Sequence, residues 1–177
     1  MGNLYQNTLD LNRNPIFYPD SFADAHKRFV LKEGDMVMSL TGTSGKEDFG
    51  FTVRLPKTER ALLLNQRVTR IDITDVRLQK DFAQHFLLSR KFLDYLYPTA
   101  KGMKQANLST NAMKKLKVVL PDEDEQAEIA TCFKSLDRKI VVAGQKRDQL
   151  QDLFRTLLHE LMTAKTRVSS VKFSDFK

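Results

Sequence analysis

Residues 122–168 read DEDEQAEIATCFKSLDRKIVVAGQKRDQLQDLFRTLLHELMTAKTRV, and two rows of apolar residues run through them at intervals of seven. One row is Ile129, Leu136, Ala143, Leu150, Leu157 and Ala164. The other is Phe133, Ile140, Phe154, Leu161 and Val168, with Arg147 as its polar interruption. This 4,3 alternation marks a helix that buries one narrow seam against another helix. Carried over the whole stretch, it predicts a helix of roughly 65 to 70 Å, longer than a globular domain of this size is wide. Such a helix projects, bends back, or pairs with something outside its own domain. Gly144 and Arg147, in mid-seam, mark a bend or a register-setting polar contact. Asp122 with Glu125 three residues on fits a capping box, and the acids at 122–125 suit the positive end of the helix dipole. A helix start explains these acids better than a metal cluster, since no histidine lies nearby.

Outward from that stretch, 177 residues suffice for one domain with a real core plus an appendage. Hydrophobic residues at 41% and charged residues at 29% exclude a disordered chain. No apolar run is long enough to cross a bilayer, and the polar start lacks a signal peptide's apolar core, so a cytoplasmic protein is expected. The lone cysteine, Cys132, permits no internal disulfide and falls beside the seam as a packed or neutral thiol. The net charge of +7 is unevenly spread. Residues 1–55 carry 6 Lys/Arg against 7 Asp/Glu, residues 56–120 carry 13 against 5, and residues 121–177 carry 10 against 10. A basic middle beside a neutral helical arm points to a polyanionic partner, with a solvated face as the plainer alternative.

In chain order, residues 1–30 show weak periodicity and read as a lead-in rather than core, with a helical turn from Asp20 or Ser21 through Arg28. Lys32-Glu33-Gly34-Asp35 forms a turn, and Met36-Val37-Met38-Ser39-Leu40 a strand. The loop Thr41-Gly42-Thr43-Ser44-Gly45-Lys46 follows, its two glycines letting the backbone approach a ligand. Strand character resumes over residues 49–55 and is strongest over 62–73. Residues 79–97 take helical spacing, with Phe82, Phe86, Leu87, Phe92, Leu93 and Leu96 as a core-facing stripe that Pro98 closes. These aromatics read as core rather than as a base-stacking platform. A second polar loop spans residues 99–109, Ser109 caps a short helix through Lys115, and residues 116–120 read as a strand. The order describes a compact α/β arrangement around a mixed sheet.

Catalytic constellations are scarce. Gly42 to Lys46 has the wrong spacing for a phosphate loop, and His26, His85 and His159 are scattered. A nuclease-like pairing of Pro121-Asp122 with Asp137-Arg138-Lys139 would lie on the long helix rather than on strands. The chain reads as one that binds without catalysing. For DNA, lysine and arginine supply sequence-independent attraction, and polar side chains on loops can meet base edges. The expected loop contacts are Thr41, Thr43, Ser44, Lys46, Lys101, Lys104 and Gln105, with Arg67 or Arg70 on phosphates. Asn107 and Ser109 are expected to fix the second loop and cap the helix after it.

Three motifs then fall into one order. They are Glu33-Gly34-Asp35-Met36-Val37-Met38-Ser39-Leu40-Thr41-Gly42, Leu64-Asn65-Gln66-Arg67-Val68, and Gly102-Met103-Lys104-Gln105-Ala106-Asn107-Leu108-Ser109, the last followed by Leu120-Pro121 and Glu125-Gln126. This set, over roughly residues 30–168, resembles the specificity subunits of type I restriction-modification systems. Leu136-Asp137-Arg138-Lys139-Ile140 and residues 161–168 are similar to that family's helical spacer.

The resemblance implies an α+β chain: a mixed-sheet target recognition domain over residues 1–120, a helical coiled-coil spacer over 121–168, and a tail over 169–177. It implies a reader of one half of a bipartite double-stranded DNA target. Its helix would dock methyltransferase (modification) subunits and, through them, motor-nuclease subunits. S-adenosylmethionine, ATP and magnesium would belong to those partners, with no cofactor or metal in this chain. A whole family member carries two recognition domains and two helical regions. Here there is one of each, and the Gly34-Asp35 turn comes earlier than the family places it. The opening strands are therefore expected to be missing, in a half-length subunit that forms a homodimer through its helix or in a remnant of a split gene. The rival expectation is an assembly fragment that pairs through its helix and reads no DNA.

Overall fold

The structure is a computed structural model that describes residues 3–101 and 103–168. The expected tail, 169–177, lies outside the described residues, as does Gly102 of the second loop. The chain divides into two compact units, Met1–Ala130 and Thr131–Lys177.

In the first unit the elements are β1 (Leu4–Tyr5), β2 (Thr8–Leu9), α1 (Ser21–Ala25), β3 (Val30–Leu31), β4 (Met36–Ser39), β5 (Thr41–Thr43), β6 (Thr52–Arg54), β7 (Leu62–Leu63), β8 (Val68–Ile71), α2 (Lys80–Leu88), α3 (Arg90–Leu96), β9 (Gln105–Asn107) and α4 (Thr110–Lys114). The first turns of α5 (Glu123–Met162) belong to it as well. Strands and helices follow one another without a repeating βαβ unit, and the α+β class stands.

The central strand is β4, flanked by β6 and β8. It is the apolar run read from the sequence, and such a run suits a strand covered on both faces. Alternate side chains go to opposite sides. Met36 and Met38 enter a cluster with Phe49, Ala83, Leu87, Phe92, Leu96, Ala106 and Leu108. Val37 enters another with Leu4, Val53 and Leu55. Ser39 is fully buried, and its Oγ accepts Phe51 N–H at 3.0 Å. Gly34 holds φ +81° in the turn before β4, a conformation glycine reaches at little cost.

Several expectations need correction. Among the described residues all strand pairs are antiparallel, in four small sheets, so the mixed sheet is replaced by antiparallel ones. Such pairs need only a chain reversal, whereas parallel pairs need a long crossover. The opening residues are more than a lead-in. Leu4 is 4% exposed in the core, and the β1–β2 hairpin turns through Gln6 and Asn7 at positive φ. Asn7 Oδ1 also accepts Thr52 N–H at 2.9 Å.

The single strand expected over 62–73 is two, because Asn65 Oδ1 accepts Arg67 N–H at 2.9 Å and turns the chain from β7, which pairs with β3, to β8, which pairs with β4. The single helix over 79–97 breaks at Ser89, which is extended (ψ 145°) and whose Oγ caps α3 through Phe92 N–H. Its aromatics do pack inside: Phe86 lies 6.4 Å from Phe82 and 5.6 Å from Phe92 between ring centroids. Residues 116–120 form no strand, and Val119 is 87% exposed.

α5 begins as read, with Asp122 Oδ1 accepting Glu125 N–H at 2.9 Å. It runs unbroken through Gly144 and Arg147 and ends six residues before Val168, at about 60 Å. Ala164 takes φ +56° there. Lys165 N–H donates to Glu160 O at 2.9 Å and Ala164 N–H to Leu161 O at 3.2 Å, the two bonds of a Schellman cap. Arg147 turns to its neighbour Asp148, at 2.8 Å. In the second unit the seam residues Phe133 (45% exposed), Leu136, Ile140 (68%), Leu150 and Phe154 (65%) are open, and Leu157 and Leu161 half-buried. Cys132 is exposed rather than packed. No helix among the described residues is long and apolar enough to cross a membrane.

Candidate nucleic-acid interface

The two polar loops are joined in one ribbon. β5 and β9 pair with Thr41 opposite Asn107, Gly42 opposite Ala106 and Thr43 opposite Gln105. Beyond the last pair, Ser44 N–H donates to Lys104 O at 3.3 Å. Lys101 and Asn107 exchange both backbone hydrogen bonds, at 3.1 and 2.9 Å, which closes the second loop at its base. Ala106 and Leu108 anchor the ribbon in the core, and the pleat leaves Gln105 and Asn107 exposed. Ser109 accepts Ala112 N–H and caps α4, as its sequence position predicts.

Within the ribbon the polar residues divide. Lys46, Lys101, Lys104 and Gln105 are exposed, Ser44 is half-buried, and Thr41 is buried at the base. Thr43 is exposed but engaged by Asp48, whose Oδ1 accepts Thr43 N–H at 2.6 Å and whose Oδ2 accepts Thr43 Oγ1–H at 2.7 Å. A Cβ on Gly42 would overlap Asp48 Oδ1 and stand 2.5 Å from the Phe49 ring, so only glycine lets β5 lie this close. Desolvation pushes the Asp48 carboxyl up, but the hydrogen bonds from Thr43 and from its own N–H, with Lys46 nearby, outweigh it and hold its pKa below the ordinary value.

The neighbouring acid, Glu47, is gripped by both arms of the Arg90 guanidinium, at 2.6 and 2.9 Å, which lowers its pKa. Arg90 Nε also meets Asp94 at 2.7 Å. The turn between β5 and β6 is thereby tied to α3.

Arg67 stands at the ribbon's end of the central sheet. Leu40 N–H donates to Arg67 O and Leu108 N–H to Leu40 O, each at 2.8 Å, which lines up the three backbones. Arg70 lies three residues on, opposite Val37, with Nε on Asp72 at 3.0 Å and Nη1 4.0 Å from Asp35. It is the expected contact that the structure does not bring to the ribbon. A cleft of about 760 Å³ opens elsewhere, over the second core cluster. Its lining includes Leu9, Ile16, Phe17, Leu31 and Leu64, a surface that suits apolar groups rather than a polyanion.

The family model of the type I restriction modification DNA specificity domain matches residues 4–152. The chain belongs to this family. A relative of this specificity-domain chain, the type I restriction enzyme MjaVIII specificity subunit of Methanocaldococcus jannaschii, is 28% identical to it over 159 residues, or 89% of this chain. The chain spans 37% of that relative's length.

Three side chains hold the specificity domain together: Asp48 and Arg90, which sequence reasoning missed, and Gln126, which it named only within the Glu125-Gln126 motif. Gln126 is 1% exposed, accepts Gln79 N–H at 3.0 Å, and donates to Arg77 O and Pro121 O at 2.9 Å each. Its signal was present, since Gln126 stands four residues before buried Ala130 on one helix face. Asp48 and Arg90 carried no comparable signal, because their partners are distant in sequence or set by the turn's geometry.

Proposed function

We propose that this chain is a DNA sequence-recognition module of a type I restriction-modification system, reading one half of a bipartite target through the β5–β9 ribbon. The pairing of β5 with β9 carries the reading, since it mounts Lys46, Lys101, Lys104 and Gln105 on one rigid element. Two polar loops on a fixed scaffold can vary in sequence without disturbing the core that supports them. Gln105, exposed on a strand, suits an adenine edge, and the lysines suit phosphates or guanine. Thr41, being buried, holds the ribbon rather than meeting DNA.

In this reading the chain is non-catalytic. Methylation and cleavage, with S-adenosylmethionine, ATP and magnesium, belong to methyltransferase and motor-nuclease subunits docked on α5. Gel shifts of duplex DNA with the methyltransferase subunits present test it. Salt-sensitive binding that falls when Lys104 and Gln105 are both changed to alanine is the expected result. Binding that is absent, or indifferent to both changes, sinks it.

A second reading is favoured by the open seam of α5. An assembly fragment that pairs through Phe133, Ile140 and Phe154, without reading DNA, would also bury these residues. Sedimentation of the chain alone separates self-pairing from a monomer, and the gel shift separates pairing from reading.

A further inference from the structure

Four arginines of the first unit are held by carboxylates. Arg54 meets Asp81 at 2.5 Å, Arg70 meets Asp72 at 3.0 Å, Arg77 meets Asp75 at 2.6 Å, and Arg90 meets Glu47 at 2.6 Å. These arginines are spent on carboxylates that shape turns and tie strands to helices. The lysines differ. Residues 95–121 contain no aspartate or glutamate and five lysines, Lys101, Lys104, Lys114, Lys115 and Lys117. All five are exposed, and none joins an ion pair among the described residues.

Three of the five stand beyond the second loop, in a stretch with no polar motif of its own. Leu108 and Ser109 alone separate β9 from α4, so α4 continues the ribbon. Met113 and Leu116 pack on the first core cluster, which turns Lys114, Lys115 and Lys117 outward. A compact ammonium on a flexible stem suits successive phosphates, while the forks of Arg54, Arg70, Arg77 and Arg90 are committed to planar carboxylates. Within the segment itself no acid offsets these lysines, and the nearest acids in sequence after them open α5 at 122–125.

We propose that Lys114, Lys115 and Lys117 form a phosphate-tracking edge of the DNA interface, carrying affinity while the ribbon carries sequence preference. This rests on the DNA-reading function proposed above. The test is a salt titration of the full chain, with its methyltransferase subunits, on random-sequence duplex DNA, comparing the parent with the K114Q/K115Q/K117Q variant. Thermal unfolding verifies that the variant is folded.

Every phosphate that a lysine no longer neutralises lowers the slope of log affinity against log salt by roughly 0.9, so a slope shallower by about 2 to 3 is expected. The weakening should be uniform across DNA sequences. A folded variant with the parent's slope overturns the proposal and leaves the ribbon's role standing. A variant that keeps the slope but no longer co-purifies with the methyltransferase subunits also overturns it, assigning the lysines to a protein interface. A parent chain with no salt-dependent binding removes both this inference and the function on which it rests.

Discussion

Gln126 takes the backbone N–H of Gln79 and so ties the start of α2 to the first turn of α5. Gln126 Oε1 accepts the backbone N–H of Gln79 at 3.0 Å, and Gln79 Nε2 donates to the backbone carbonyl of Glu123 at 2.9 Å. The Gln79 N–H, open at the start of α2, thus finds its partner on α5, and the Gln79 side chain adds a second tie to the helix. Gln126 Nε2 adds bonds to Arg77 O and Pro121 O. Gln126→Ala would leave three backbone groups without partners, and unsatisfied buried groups cost about 1–3 kcal/mol each before water relieves them. The expected loss is about 2–3 kcal/mol, read by urea unfolding of the chain.

Gly42→Ala should be more damaging than Gly45→Ala. At Gly42 a methyl would collide with Asp48 and Phe49, which are tied into the turn and the core. At Gly45 the space is open and only φ +76° opposes the change, at about 1 kcal/mol. Loss of DNA binding by Gly42→Ala, with Gly45→Ala near the parent, is the expected outcome of a paired gel shift. Equal behaviour would contradict the close packing of β5.

Asp75 carries a pH signature. Hydrogen bonds from the Arg77 side chain and backbone hold its pKa down to about 2, against an ordinary 3.8. A carboxyl depressed in the folded state favours folding above the unfolded value, and that contribution fades as pH falls from about 3.8 toward 2. The Asp48 shift has the same sign. Carboxyl NMR titration should find Asp75 still ionised at pH 3, and Arg77→Gln should return its midpoint toward the ordinary aspartate range. A midpoint unmoved by that change would exclude the ion pair.

The long helix offers two gains in stability. Nothing lies within 4 Å of a Cβ built on Gly144, so Gly144→Ala should stabilise the isolated helix by about 0.8–1 kcal/mol. At the Schellman cap the preference reverses. Ala164→Gly relieves the left-handed φ of +56° and should favour the cap by about 0.5–1 kcal/mol. Circular dichroism melts of the whole chain check both. If Gly144→Ala instead weakens self-association, a partner helix approaches that face closely.

Much of the architecture was legible because its causes are local. The seam of α5 follows from seven-residue spacing, its start from Asp122 and its neighbouring acids, and α4 from the Ser109 cap. The run of apolar residues in β4 marked a strand covered on both faces. The failures have local causes that pattern reading underweighted: an Asn65 turn inside an apolar run, and a serine cap inside a helical stripe.

By itself the sequence determined a long seam-bearing helix, a central buried strand, a basic middle and an ordered set of motifs that pointed to the right family. Periodicity, capping and composition act between near neighbours, so they survive in one dimension. Tertiary structure alone decided that the two polar loops form one ribbon, that Arg70 is held by Asp72 and Asp35 while Lys104 stays free, and that Gln126 locks the helix start. Short strands such as β5 and β9 have too little intrinsic preference to choose partners. Their pairing, and the carboxylate each cation meets, is set by contacts between residues many positions apart.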